Sequence, residues 1–264
     1  MTDDRLMAVL NESAAAVKDA LEGLDDWGLA GGRRADQYRS DLLADEAALA
    51  VLLGAGLSVL SEESGLHEGD RALTVVLDPL DGSANASRRL PWYATSLCAV
   101  DAAGPVAAVV VNLATGDRFE AVRGSGAVGN GRPLSTSGCS SMGEAVVGMP
   151  EWPSVHLGWR QMRTLCSVAL DLCVVASGQL DAFIDCSVES YGPWDYLGGT
   201  LICREAGGVV ADADGRELVT LDPADRRTPV AAATEELLAS ALAGRARLGP
   251  VPPSVRTAEP WRGS

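Results

Sequence analysis

A mixed α/β chain, with an α+β half followed by an α/β half, is the fold class that three patterns predict. Helical periodicity opens the sequence, short apolar runs separated by turn residues follow, and from about residue 145 apolar runs alternate with helix-like stretches. The 264 residues are 47% hydrophobic, enough to bury a sizeable core. The expected boundaries are 1–144 for the first half, 145–244 for the second, and 245–264, rich in Pro and Arg, for a flexible tail.

Leu6, Val9, Leu10, Ala14, Val17 and Leu21 recur at three- and four-residue steps, so the first element is a helix ending near Gly23. A glycine-rich loop at 28–32 leads to a second helix at 40–53, where Asp41 caps or enters the first turn and Leu42, Leu49 and Leu52 supply apolar contacts. Apolar runs at 57–60, 73–77, 93–100, 106–113 and 118–122 are short and bounded by turn residues, which predicts a sheet of about five strands. Segments 102–105 and 114–117 read as hairpin turns, and 124–132 as a loop bearing a short strand. In the second half, an apolar run at 145–149 precedes a helix at 164–176, a strand at 182–185 and a helix at 195–206. Strands at 209–211 and 229–233 and a closing helix at 235–242 complete it.

The net charge of −15 repels a nucleic-acid backbone and an anionic bilayer alike, so neither partner is expected. No window reaches the roughly 18 apolar residues of a membrane span. Asp3 and Asp4 stand where a secretory leader would be basic, so a cytoplasmic location is expected. Six cysteines without a CxxC pair read as buried reduced thiols. His67 and His156 are the only histidines, too few for a zinc cluster and poor material for a Ser-His-Asp triad. Catalysis is left to carboxylates.

The sharpest local feature is Asp78-Pro79-Leu80-Asp81-Gly82-Ser83, directly after an apolar run. Two carboxylates flanking a Pro-fixed backbone can converge on a hard cation, and the Leu80 carbonyl can add a third oxygen. Gly82 and Ser83 then offer N–H groups at a helix start, which favours phosphate. An Asx-type turn without ligand explains the same residues. Two further acidic sites, Glu62-Glu63 after another apolar run and Trp194-Asp195 at a helix head, make the joint pattern harder to explain by turns alone.

These blocks resemble the signatures of the inositol monophosphatase family, metal-dependent sugar-phosphate phosphatases. Ser61-Glu62-Glu63-Ser64, the block from Asp78 to Asn85 and the block from Trp194 to Gly208 match in order, within a resemblance running from about Arg34 to Gly244. The resemblance implies a layered αβαβα sandwich, the sugar-phosphatase fold, and a homodimer. It also implies two or three Mg²⁺ ions. Glu62, Asp78 and the Leu80 carbonyl would hold the first, and Asp78, Asp81 and Asp195 the second. It places Asp45 as the carboxylate that, with the Ser83 hydroxyl, activates the attacking water, while the ion on Glu62 lowers the pKa of that water. Gly82 and Ser83 would meet the phosphate. Ser167 and Val168, in Cys166-Ser167-Val168-Ala169, stand where relatives carry Gly-Ser/Thr-Ala-Ala facing the substrate ring. Arg163 matches an arginine near the pocket, with a solvated helix-start arginine as the plain reading. Asp185 matches an acid that bonds a ring hydroxyl, with extra residues before Trp194-Asp195. Arg39-Ser40-Asp41-Leu42 departs from the usual Asp-Leu-Val-Thr, which leaves a third metal site and lithium sensitivity open.

The implied reaction is phosphomonoester hydrolysis by direct attack of water, with inositol 1-phosphate as first substrate. Fructose 1,6-bisphosphate, 3′-phosphoadenosine 5′-phosphate, histidinol phosphate and a specialised nucleoside or aminocyclitol phosphate are the alternatives. A haloacid-dehalogenase mechanism with an aspartyl-phosphate at Asp78 competes, but its acids are spaced D-x-D whereas here Asp78 and Asp81 stand three apart. A non-catalytic metal-dependent binding module is the remaining reading.

Overall fold

Helices α1 (Asp3–Leu21) and α2 (Arg39–Gly54) open the computed structural model, which describes residues 1–31, 37–69 and 72–248. Thr2 caps α1, its side chain accepting from the Arg5 amide at 3.4 Å. In α2 the first-turn Asp41 accepts the Tyr38 amide at 2.7 Å, so the residue read as a cap does cap.

Strands β1 (Ser58–Ser61), β2 (Gly65–His67), β3 (Thr74–Asp81), β4 (Ala94–Asp101), β5 (Gly104–Asn112), β6 (Arg118–Val122), β7 (Ala127–Gly129) and β8 (Arg132–Pro133) form an eight-stranded sheet in the order β2-β1-β3-β4-β5-β6-β7-β8. Only β1 and β3 pair in parallel within it. The sheet exceeds the expected five strands because β2, β7 and β8 are too short to show an alternation of their own. Along β5, Ala107, Val109 and Val111 face α1 and α2 while Ala108 and Val110 face the opposite side. Both faces are buried, which is why the sequence reads as a nearly continuous apolar run.

A second, five-stranded mixed sheet has the order β10-β9-β11-β13-β12 and comprises β9 (Val146–Gly148), β10 (Gln161–Arg163), β11 (Ala182–Ile184), β12 (Val209–Asp212) and β13 (Pro229–Ala232). Between the sheets lie α4 (Val168–Ala176) and α5 (Pro193–Glu205); α3 (Ser83–Ser87) is a single short turn after β3. One buried cluster joins Val76, Cys98 and Val110 of the first sheet to Leu172, Leu197 and Ile202 of the helices and Phe183 and Ala231 of the second sheet. The outer face of that second sheet, with Ile184 and Val230, packs on Leu237, Leu238 and Ala241 of α6 (Glu235–Arg245). The layers therefore run αβαβα.

Helix α5 approaches its neighbours closely. A Cβ at Gly198 would stand 2.7 Å from Ser96 Oγ, and one at Gly199 would stand 2.6 Å from Leu172 Cβ, so only hydrogen fits. The helix expected from residue 164 begins at Val168, because Cys166 holds a left-handed φ of 64° that no α-helix contains. Strand β10, absent from the sequence expectation, is an edge strand with two of its three residues exposed. Residues 249–264, the greater part of the expected tail, lie outside the described residues. Among the described residues no helix is long and apolar enough to cross a membrane. All six cysteines are free thiols, but only four are buried as expected, Cys139 and Cys166 being half-buried; burial pushes the thiols of Cys98, Cys186 and Cys203 up to about 12.

Candidate active site

In an unbroken strand, residues three apart face opposite sides. The pairing of β3 with β4 shifts register between Asp78 and Asp81, where Pro79 has no N–H to give, and the alternation is lost there. Asp78 and Asp81 consequently turn to the same side. Asp195 arrives from the first turn of α5, held by the Gly192 amide on its Oδ2 at 2.7 Å. One oxygen from each of Asp78, Asp81 and Asp195 lies within 4.8 Å of the other two, and all three residues are buried. Parallel pairing of Ser61 with Leu77 carries the β1 end alongside, and Glu62 donates its amide to Leu77 O at 3.1 Å.

Asp78 registers the crowding. Burial is the largest cause raising its pKa well above the ordinary carboxylate range, and the charges of Glu62, Asp81 and Asp195 add to it. The Leu80 amide, 2.9 Å from Oδ1, pulls the other way. Such a group of carboxylates is relieved by a divalent cation, and a donor set made of carboxylate oxygens suits a hard ion. The residues fit a metal.

Two groups from the turn before α4 fix Asp81: Ser167 Oγ donates to Oδ2 at 2.7 Å and the Ala169 amide at 2.8 Å. Gly82 has φ of 83°, and a Cβ there would stand 3.0 Å from Trp92 O. The cleft above, of about 230 Å³, is walled by Tyr38 and Asp41, by Glu62 and Glu63, by Gly82, Ser83 and Asn85, and by Cys166 and Asp195. An all-oxygen cation site opening beside a strand-to-helix turn is an arrangement for phosphate ester chemistry.

The sequence model of the inositol monophosphatase family matches residues 34–247. The chain belongs to this family. As a family member it is a metal-dependent phosphatase, a phosphoric monoester hydrolase. It is 38% identical over 216 residues to a fructose-1,6-bisphosphatase/inositol-1-monophosphatase of Methanothermobacter thermautotrophicus, covering 73% of this chain and 77% of that one. It is 34% identical over 197 residues to an inositol-1-monophosphatase of Mesorhizobium japonicum, covering 69% and 72%. The extragenic suppressor protein suhB of Bartonella henselae superposes with a TM-score of 0.78 at 27% identity, over 92% of this chain and 99% of that one.

The phosphatase brings together Glu62, Asp78, Leu80, Asp81, Gly82, Ser83 and Asp195 of the sequence-selected residues. Asp45 is placed elsewhere: it is buried one turn beyond Asp41 and accepts Ser61 Oγ at 2.5 Å. Asp41, assigned only a capping role from sequence, is the α2 carboxylate on the cleft wall. Ser167 is fully buried against Asp81 and Val168 sits in the core between the sheets, so the side chain of this turn that lines the cleft is Cys166. Arg163 is not at a helix start; it ends the exposed edge strand β10 and bonds Met162 O and Gln161 Oε1. Asp185 is fully buried at the end of β11, accepting the Ser187 amide at 2.8 Å and its hydroxyl at 2.5 Å. Tyr38, Glu63 and Asn85 also line the cleft, although the sequence reading gave none of them a role in the site. Glu63 and Asn85 carried a signal, since both fall inside the matched blocks.

Cys166 stands in a glycine conformation at the position where the resemblance puts glycine. An L side chain costs about 1–2 kcal/mol there, partly offset by the extra freedom glycine gains in the unfolded chain. Cys166→Gly is therefore expected to raise stability by about 1 kcal/mol, read as a higher urea midpoint at unchanged slope. A lower midpoint would show that the thiol contact with Pro150 O, at 3.6 Å, outweighs the strain.

Two carboxyls away from the cation site predict the pH response. Burial raises Asp185 to about 6, with the Ser187 hydrogen bonds opposing, and raises Asp171 to about 8, with the Trp92 N–H opposing and Asp81 assisting. The folded chain holds both protons over a range where the unfolded chain releases them, from the ordinary carboxylate value near 4 upward. Their contribution is complete below about pH 4 and is lost as pH rises through about 6 and then about 8. Thermal midpoints of metal-free protein should fall across that interval, and Asp171→Asn should flatten its upper part. A midpoint that rises between pH 6 and pH 8 would contradict the assignment.

Proposed function

We propose that this phosphatase hydrolyses the phosphomonoester of a small polyol or sugar, with inositol 1-phosphate as the first substrate and Mg²⁺ as the cofactor. The observation that carries the reading is the meeting of three buried carboxylates within 4.8 Å at the edge of a cleft that also holds Gly82 and Ser83. Glu62, Asp78, the Leu80 carbonyl, Asp81 and Asp195 would hold two or three ions. When bound, these supply charge compensation for the phosphoryl oxygens and for the leaving oxygen, and they lower the pKa of the attacking water.

The remaining steps belong to the chain itself. The amides of Gly82 and Ser83 receive the phosphoryl oxygens and the Ser83 hydroxyl orients the water. Asp41 accepts the proton of that water, the role first given to Asp45, because Asp41 is the carboxylate of α2 on the cleft wall. The water oxygen bonds to phosphorus as the ester P–O bond breaks, and the departing oxygen takes a proton from solvent. The product is orthophosphate and an alcohol, without a phosphoenzyme. A homodimer acting on a diffusible ester in the cytoplasm, without nucleic acid or membrane, completes the reading.

The paired name of the Methanothermobacter relative supports fructose 1,6-bisphosphate as the second substrate to try. Phosphate release from inositol, sugar-bisphosphate, nucleotide and histidinol phosphates, with Mg²⁺ and with EDTA, tests the proposal. Magnesium-dependent turnover of inositol 1-phosphate above the other esters is the expected result. Equal release in EDTA, or an aspartyl-phosphate trapped at Asp78, would overturn the mechanism, and turnover confined to a nucleotide or histidinol ester would overturn the substrate class.

A further inference from the structure

Asp171 is fully buried in the first turn of α4 and does not line the cleft. Its Oδ1 accepts the indole N–H of Trp92 at 2.9 Å. The amides of Cys166 and Ser167 also act on its carboxyl. The Trp92 carbonyl in turn accepts Asn85 Nδ2 at 2.8 Å, and the same nitrogen donates to Leu165 O at 2.8 Å. Between these segments lies Gly82, where a Cβ would stand 3.0 Å from Trp92 O and 3.3 Å from Cys166 O. The same turn sends Ser167 and Ala169 to Asp81.

We propose that Asp171 is a positioning residue: by tying Trp92 to the 165–169 turn, it holds Asp81 and Gly82 in register for cation and phosphate. A hydrophobic residue of similar size would fill the space in α4 but would release Trp92. Burial raises the carboxyl, and the oxygen that accepts the Trp92 indole N–H at 2.9 Å is one that the side-chain oxygen of an amide reproduces. This inference rests on the proposed metal chemistry, since Asp81 matters through the cation it would hold.

The test uses Asp171→Leu, Asp171→Asn and Trp92→Phe in the full chain. The Mg²⁺ concentration for half-maximal phosphate release should rise about tenfold in Asp171→Leu and in Trp92→Phe, the scale expected for groups that orient metal ligands. The turnover number at saturating Mg²⁺ should change less than the half-maximal concentration. Asp171→Asn should restore wild-type behaviour. Hydrogen exchange at the Ala169 amide, without metal, is read in parallel and should accelerate in the first and third variants but not in Asp171→Asn. Trp92→Phe removes one donor and keeps an aromatic ring, so it serves if Asp171→Leu does not fold.

Unchanged Ala169 exchange in Trp92→Phe, or equal damage from Asn and Leu at position 171, would overturn the positioning role. Accelerated exchange in a protein whose wild type ignores Mg²⁺ would uphold the positioning of Asp81 and overturn the metal reading instead.

Discussion

Asp195→Asn should lower Mg²⁺-dependent phosphate release by a factor on the order of 10³, because losing an anionic ligand removes several kcal/mol of charge stabilisation and each 1.36 kcal/mol is tenfold in rate. The fold should survive. The amide oxygen of asparagine can still accept the Gly192 amide that Asp195 Oδ2 accepts at 2.7 Å, so the start of α5 keeps its cap. Removing one of the charges that crowd Asp78 also relieves the metal-free protein. The variant should therefore melt no lower than the parent without metal and gain less on adding Mg²⁺, since stabilisation by a ligand follows its affinity. Calorimetric Mg²⁺ titration beside thermal scans reads both effects. Wild-type activity at the wild-type Mg²⁺ requirement would remove Asp195 from the ligand set.

The second large effect separates two carboxylates on one helix. Asp41→Asn should reduce the turnover number by about 10²-fold or more, the range of a lost general base, while the Mg²⁺ requirement changes little. Asp45→Asn should cost far less, for Asp45 faces Ser61, not the cleft. Ser61 Oγ also accepts the Glu63 amide at 3.1 Å, so what Asp45 supports is the end of β1 from which Glu62 and Glu63 emerge. Its loss is expected in the Mg²⁺ half-saturation concentration before turnover. The reverse ranking in steady-state kinetics would return the base to Asp45.

Asp41 and Asp45 also show where sequence reasoning stops. They are four residues apart on α2 and so share a face, and no periodicity argument tells which of two such residues looks into a cleft and which into the sheet. The clue was local: an acid in the first turn bonding back to Tyr38 marks the end of the helix where the chain enters the site. Asp78, Asp81 and Asp195 were legible because a strand emptying into an acidic turn and an acid at a helix head are short-range patterns, and an ordered match of distant blocks bound them together. Ser167, Val168 and Asp185 were placed at the substrate by position alone. Their burial depends on how the 165–169 turn and the end of β11 pack, which the left-handed Cys166 and the serine at 187 decide. The long strands of the first sheet could be read from their apolar runs; β2, β8 and β10, with two or three residues each, offer too little pattern to be seen.

Gly198 carries a consequence for ion choice. Asp195 belongs to the helical layer and Asp78 and Asp81 to the sheet, so the gap that a cation must span is the thickness of an interlayer contact, set where Gly198 of α5 meets Ser96 of β4. Cations differ in the bond lengths they accept: magnesium demands about 2.1 Å and calcium tolerates 2.3–2.6 Å. A single methyl group inserted at position 198 thus works as a spacer, and the preference between small and large divalent ions becomes a matter of core volume that can drift without any ligand being exchanged.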